Sequence, residues 1–166
     1  MPEDEALSES QENYLETILD LEKSNKVARA KEIAERLNIQ PGSVTGALKA
    51  LAEKGYINYA PYSFITLTAK GKQRAGIIAR RHATIKEFLV KVLQIDAKTA
   101  DETACRMEHA IDEKTFDRLV CFIEYIFTCP RAGQEWIESF INYCSSGGID
   151  KAECDQCIRG IRSQEE

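Results

Sequence analysis

The residues best suited to chemistry stand in one short stretch, ACRMEH at Ala104–His109. On a helix, Cys105, Glu108 and His109 fall at i, i+3 and i+4, so a sulfur, a carboxylate oxygen and an imidazole nitrogen leave the same face. That mixed donor set suits a borderline first-row divalent ion such as Fe(II), Co(II), Ni(II) or Zn(II), and suits magnesium or calcium poorly. The same spacing also describes a polar helical face that happens to carry a thiol. As an enzyme, the chain would use Cys105 and His109 as nucleophile and base. No oxyanion-hole loop, phosphate-binding glycine run or second acid–base constellation accompanies them, and a metal site would occupy both. The expectation is a binding protein with no catalytic residues.

A second group of donors lies near the C-terminal end, where Cys129, Cys144, Cys154 and Cys157 are arranged C-x14-C-x9-C-x2-C. Four thiolates of this kind could hold a structural zinc ion or an iron–sulfur cluster, and the latter would make the protein a redox sensor. With a single CxxC, and with Cys144 on an apolar stripe, free thiols in a helical cap fit as well. Cys121, near the face of a core helix, is expected to be a small packing residue.

The elements that must carry these residues can be read from periodicity. Ser8 and Gln11 form a capping-box pattern, and Tyr14, Leu15, Ile18 and Leu19 give an apolar face, so a first helix is expected over Ser8–Glu22. In Val27–Gly55, Ile33, Ala34 and Leu37 make one helical stripe, and Val44, Ala47, Leu48 and Leu51 make another. Asn38 can end the first of these helices in a left-handed conformation, and Pro41 suits the first turn of the next. This is a helix-turn-helix pattern. Its second helix would aim Gln40, Pro41, Gly42, Ser43, Thr45, Gly46 and Lys49 at a DNA major groove. Tyr56–Tyr59 and Phe64–Thr68 then read as strands around the turn Ala60–Ser63, so the two helices are followed by a wing.

Further on, Ala75, Ile78, Ala79, His82, Ile85, Phe88, Leu89 and Leu93 suit one long helix over Ala69–Leu93. A helix over Thr99–Ile111 follows, then one capped by Asp112 with a stripe of Phe116, Leu119, Val120, Ile123 and Phe127. Another contains Trp136, Ile137, Phe140, Ile141 and Cys144, and a last short one covers Lys151–Arg162. The fold expected is mainly α, with an N-terminal winged helix-turn-helix bearing a small β-hairpin wing, followed by helices alone. The domains expected are a DNA-binding winged helix at 1–70, a helical domain at 71–143 and a Cys-containing helical tail at 144–166.

The net charge of −5 argues against nucleic acid, but its distribution argues for it. Residues 23–91 hold fourteen Lys and Arg against four acids, a surplus of ten positive charges over the proposed winged helix, while the flanks are strongly acidic. No stretch is long and apolar enough to span a membrane. The acidic N-terminus lacks the apolar run of a signal peptide, so a cytoplasmic location is expected, in which thiols serve metal or redox chemistry sooner than structural disulfides.

Taken together, ENYLETI, KEIAERLNIQPGSVTGALKALAEKGYI, LTAKGKQRA, the run Arg80–His82 and ACRMEH resemble the metal-dependent repressors typified by the diphtheria toxin repressor and the manganese transport regulator. The resemblance spans roughly Ser10–Phe127. It implies a DNA-binding winged helix joined to a helical metal-binding and dimerisation domain, with the metal at their junction acting as corepressor. Divalent metal would fix the DNA-binding domains of a homodimer for a palindromic operator. On this resemblance the metal ligands are His82, Cys105, Glu108 and His109, with Glu16 and Asn13 on the first helix. Asn13 departs from the Met of iron-type members and the Asp of manganese-type members. Cys105 stands where manganese regulators place a carboxylate and favours Fe2+, with a Mn2+-responsive regulator as the alternative. The ancillary site of iron-type members is compromised by Lys86 and Asp101.

Overall fold

The structure is a computed structural model that describes residues 7–129 and 133–148. Among these residues the helices are α1 (Glu9–Asn25), α2 (Ala30–Leu37), α3 (Pro41–Glu53), α4 (Ala69–Lys91), α5 (Ala97–Ala110), α6 (Glu113–Thr128) and α7 (Gly133–Ser146). Two short strands, β1 (Ile57–Asn58) and β2 (Thr66–Leu67), pair antiparallel between α3 and α4. The chain divides into two compact units whose boundary in sequence falls between His82 and Ala83, within α4. No described helix is long and apolar enough to cross a membrane.

The first unit is a mainly helical winged helix-turn-helix, built as its local signals require. Ser8 caps α1 through a reciprocal box, its hydroxyl accepting from the Gln11 N–H at 3.3 Å and its own N–H donating to the Gln11 side chain at 3.3 Å. The helix runs three residues past Glu22 and stops at Lys26, which takes the left-handed conformation at φ 67°. Asn38 closes α2 in the same way at φ 52°, and Pro41 opens α3 where no N–H is needed. Leu15 and Ile18 of α1, Ile33 of α2 and Val44, Leu48 and Leu51 of α3 are fully buried in one core. Each such side chain contributes about 1.5–3 kcal/mol of burial free energy, which exceeds what the short helices have from propensity alone.

The wing is shorter than its sequence pattern suggests. Ile57 pairs with Leu67 and Asn58 with Thr66, and the ladder stops there although Ile65, the next residue, is still buried in the core that holds Ile57 and Leu67. Its turn closes with the Ser63 N–H donating to the Ala60 carbonyl at 3.1 Å, with Pro61 and then Tyr62, at φ 62°, between them. Ala28, just before α2, adds an isolated bridge to Ile65 through bonds of 3.0 and 2.9 Å, which the sequence pattern did not announce. The start of α4 is clamped to the wing. Thr68 donates its backbone N–H to the Tyr56 carbonyl at 3.0 Å, and its hydroxyl lies 2.8 Å from the Gly55 carbonyl. Glu22, nearly buried near the end of α1, accepts the Leu67 N–H at 2.7 Å and faces Lys72 at 3.7 Å.

In the second unit, Ile85 and Leu89 of α4 share a core with Ala100 and Ala104 of α5 and Phe116 of α6. Val92, Ile126 of α6 and Ile137 of α7 form a further cluster. Three expectations are corrected here. Phe127 is half-exposed and Ile126 is buried in its place, because α7 packs on that side of α6. Cys121 is exposed: five residues after Phe116 it lies about 140° round the helix from the core face. Cys144 is exposed although it continues the spacing of Ile137 and Ile141, since the cluster around those two does not extend to the last turn of α7. The segment proposed as a last helix, with Cys154 and Cys157, lies outside the described residues.

Candidate metal centre

Helix α5 presents the donors, and its start is well determined. Asp96 is its N-cap, accepting from the backbone N–H groups of Thr99 at 3.0 Å and Lys98 at 3.2 Å, so the helix begins two residues before the expected Thr99. Hydrogen bonds from the Thr99 side chain and backbone hold the Asp96 carboxyl below its ordinary value. Lys86 of α4 reaches Asp101 of α5 at 2.5 Å, so the two residues that depart from an ancillary metal site form an ion pair with each other. The buried methyls of Ala100 and Ala104 seat the helix on the core and turn Cys105, Glu108 and His109 together.

The Cys105 sulfur, a Glu108 carboxylate oxygen and a His109 ring nitrogen lie within 4.8 Å of one another. The Glu108 side chain has 0% exposure and that of His109 5%, and His109 Nε2 stands 3.3 Å from Glu108 Oε1. Burying a carboxylate costs several kcal/mol unless positive charge or hydrogen bonds offset it. A thiolate and a carboxylate supply two negative charges against a divalent cation, and the imidazole supplies a neutral third donor, so these residues fit a first-row divalent ion.

In the first unit, Glu16 of α1 and His82 of α4 bring their donor atoms within 4.8 Å. Asn13, one turn earlier on α1, is half-buried. Sequence reasoning missed Glu12, which is buried and paired with Arg74. The available signal was its i, i+4 spacing from Glu16, which puts both carboxylates on one face of α1. Of the C-terminal cysteines, Cys129 is half-buried and Cys144 exposed, while Cys154 and Cys157 lie outside the described residues.

The helix-turn-helix sorts its residues cleanly. Gln40, Pro41, Gly42, Ser43, Thr45, Gly46 and Lys49 are exposed, while Val44 and Leu48 between them are buried. Buried residues therefore anchor α3 and leave a polar, small-residue edge free for a groove.

Residues 6–65 match the family model described as the iron dependent repressor N-terminal DNA binding domain, and residues 68–137 match the iron dependent repressor metal binding and dimerisation domain. The chain is 46% identical over 119 residues to an uncharacterized HTH-type transcriptional regulator of Methanocaldococcus jannaschii, covering 71% of this chain and 95% of that protein. It is 31% identical over 116 residues to the HTH-type transcriptional regulator MntR of Oceanobacillus iheyensis, covering 70% of this chain and 78% of the relative. Among solved structures it is similar to the manganese regulator SloR, with a TM-score of 0.62 and 28% identity over 75% of this chain. The chain spans only 60% of the SloR chain. The chain thus belongs to the iron-dependent repressor family of metal-dependent, DNA-binding transcriptional regulators.

Proposed function

We propose that this chain is an Fe(II)-responsive repressor that works in the cytoplasm as a homodimer on a palindromic DNA operator. The ion is held by His82, Cys105, Glu108 and His109, with Glu16 and Asn13 contributing from α1. The observation that carries this reading is the convergence on α5 of the half-buried Cys105 thiol with the buried side chains of Glu108 and His109. A ligand set drawn from both the DNA-binding and the dimerisation parts binds an ion tightly in only one arrangement of those parts, so binding favours that arrangement. In a two-fold dimer the arrangement sets the separation of the two α3 helices, which must match major-groove faces about 34 Å apart. The residues Gln40, Pro41, Gly42, Ser43, Thr45, Gly46 and Lys49 form the reading edge.

The sulfur of Cys105 favours iron, because manganese prefers oxygen donors. A Mn(II)-responsive regulator is the second reading, favoured by the likeness to a manganese regulator. Both are tested by binding to a DNA duplex selected from a random pool, titrated with Fe(II), Mn(II) and Zn(II) against a chelator at fixed salt. The expected result is that Fe(II) tightens binding about 10–100-fold, within the usual range of allosteric coupling, and that Glu108→Ala and His109→Ala abolish this response with the dimer intact. Equal affinity in chelator and in every metal overturns the proposal. A response to Mn(II) alone selects the second reading.

A further inference from the structure

Helix α7 carries Trp136, Phe140 and Tyr143 at i, i+4 and i+7, a single stripe, and the Trp136 and Phe140 rings are stacked with centroids 6.2 Å apart. Trp136 is 42% exposed and Tyr143 48%, and on α6, which packs against α7, Phe122 is 45% exposed. Aromatic side chains bury about 150–250 Å² each when covered. Three of them near half exposure therefore leave about 300 Å² of aromatic surface per copy, the size of the apolar centre of an interface that buries about 800 Å² per partner.

We infer that the aromatic stripe of α7, with Phe122 of α6, is covered by the same surface of a second copy of this chain. Two observations choose that occupant. The charged residues of α7 are Glu135 and Glu138, with no Lys or Arg, so the stripe offers nothing to a nucleic acid or an anionic membrane. The stripe is also continuous with the matched dimerisation domain, whose match ends at residue 137 and so includes Trp136 while leaving out Phe140 and Tyr143. The interface inferred here thus extends past the part of the chain that the family shares. It rests on the homodimer reading above and names its face.

Trp136 is the sole tryptophan of the chain, so its fluorescence reports this surface alone. The full chain is diluted through its dimer dissociation range while sedimentation gives the mass and acrylamide quenching gives the exposure of the indole. Dissociation is expected to shift emission to the red and raise quenching together, and Tyr143→Arg is expected to weaken the dimer about tenfold or more. A dimer that dissociates with Trp136 emission and quenching unchanged overturns this inference and leaves the homodimer standing. A monomer at every concentration overturns both. Should Tyr143→Arg fail to fold, the fluorescence of the unaltered chain still decides.

Discussion

Gly71 offers the sharpest test of how the DNA-binding unit is held together. A Cβ added there would stand 1.9 Å from the Tyr56 carbonyl oxygen and 3.2 Å from a Leu67 methyl. Contact closer than 3.0 Å is not tolerated, so α4 and the wing must part by at least 1.1 Å. That movement falls on the Tyr56 carbonyl, which receives the Thr68 N–H at 3.0 Å and lies 3.1 Å from the Thr68 hydroxyl. Losing or stretching these bonds costs about 1–2 kcal/mol, and overpacking the contact with Leu67 costs about 1–3 kcal/mol more. Against this, alanine in a helix is worth about 1 kcal/mol over glycine. Gly71→Ala is therefore expected to destabilise by about 1–4 kcal/mol, lowering the thermal midpoint by roughly 2–16 °C for a chain of this size. Gly76→Ala, on the same helix with nothing within 4 Å of its added methyl, is the control and should gain about 1 kcal/mol. Urea and thermal unfolding followed by circular dichroism measure both. If Gly71→Ala matched Gly76→Ala in stability, the close approach of α4 to the wing would be wrong.

Glu22→Ala should destabilise the first unit by about 1–3 kcal/mol by leaving the Leu67 N–H without its acceptor, whereas Glu22→Gln, which keeps an acceptor oxygen, should cost less; equal losses in urea unfolding would contradict this. Hydrogen bonds from the Thr115 side chain and backbone N–H hold the Asp112 carboxyl below its ordinary value of 3.8, so it favours folding above that pH and loses the contribution as pH falls through its lowered folded value. The stability gap between the unaltered chain and Asp112→Ala, measured by unfolding across pH, should be full at neutral pH and shrink below 3.8. Lys49→Ala should relax sequence preference and, because it removes a positive charge from the reading edge, flatten the salt dependence by about 0.9 in log–log slope, while Gln40→Ala should relax sequence preference with the slope unchanged; binding titrations at several salt concentrations separate the two.

Local signals sufficed wherever the physics is local. The Ser8–Gln11 box, Asn38 in the left-handed region and Pro41 at a helix start were legible because capping and φ restriction involve residues a few positions apart. So was the grouping of Cys105, Glu108 and His109, since a spacing of three and four on a helix fixes direction without any partner. Tertiary structure decided what depends on the distant chain. The bridge from Ala28 to Ile65, the Glu22 acceptor for Leu67, the Arg74 partner of Glu12 and the requirement for glycine at 71 all join residues far apart in sequence. The choice of Ile126 over Phe127 belongs there too, because periodicity says which residues share a face and only the arrival of α7 says which edge of that face is covered.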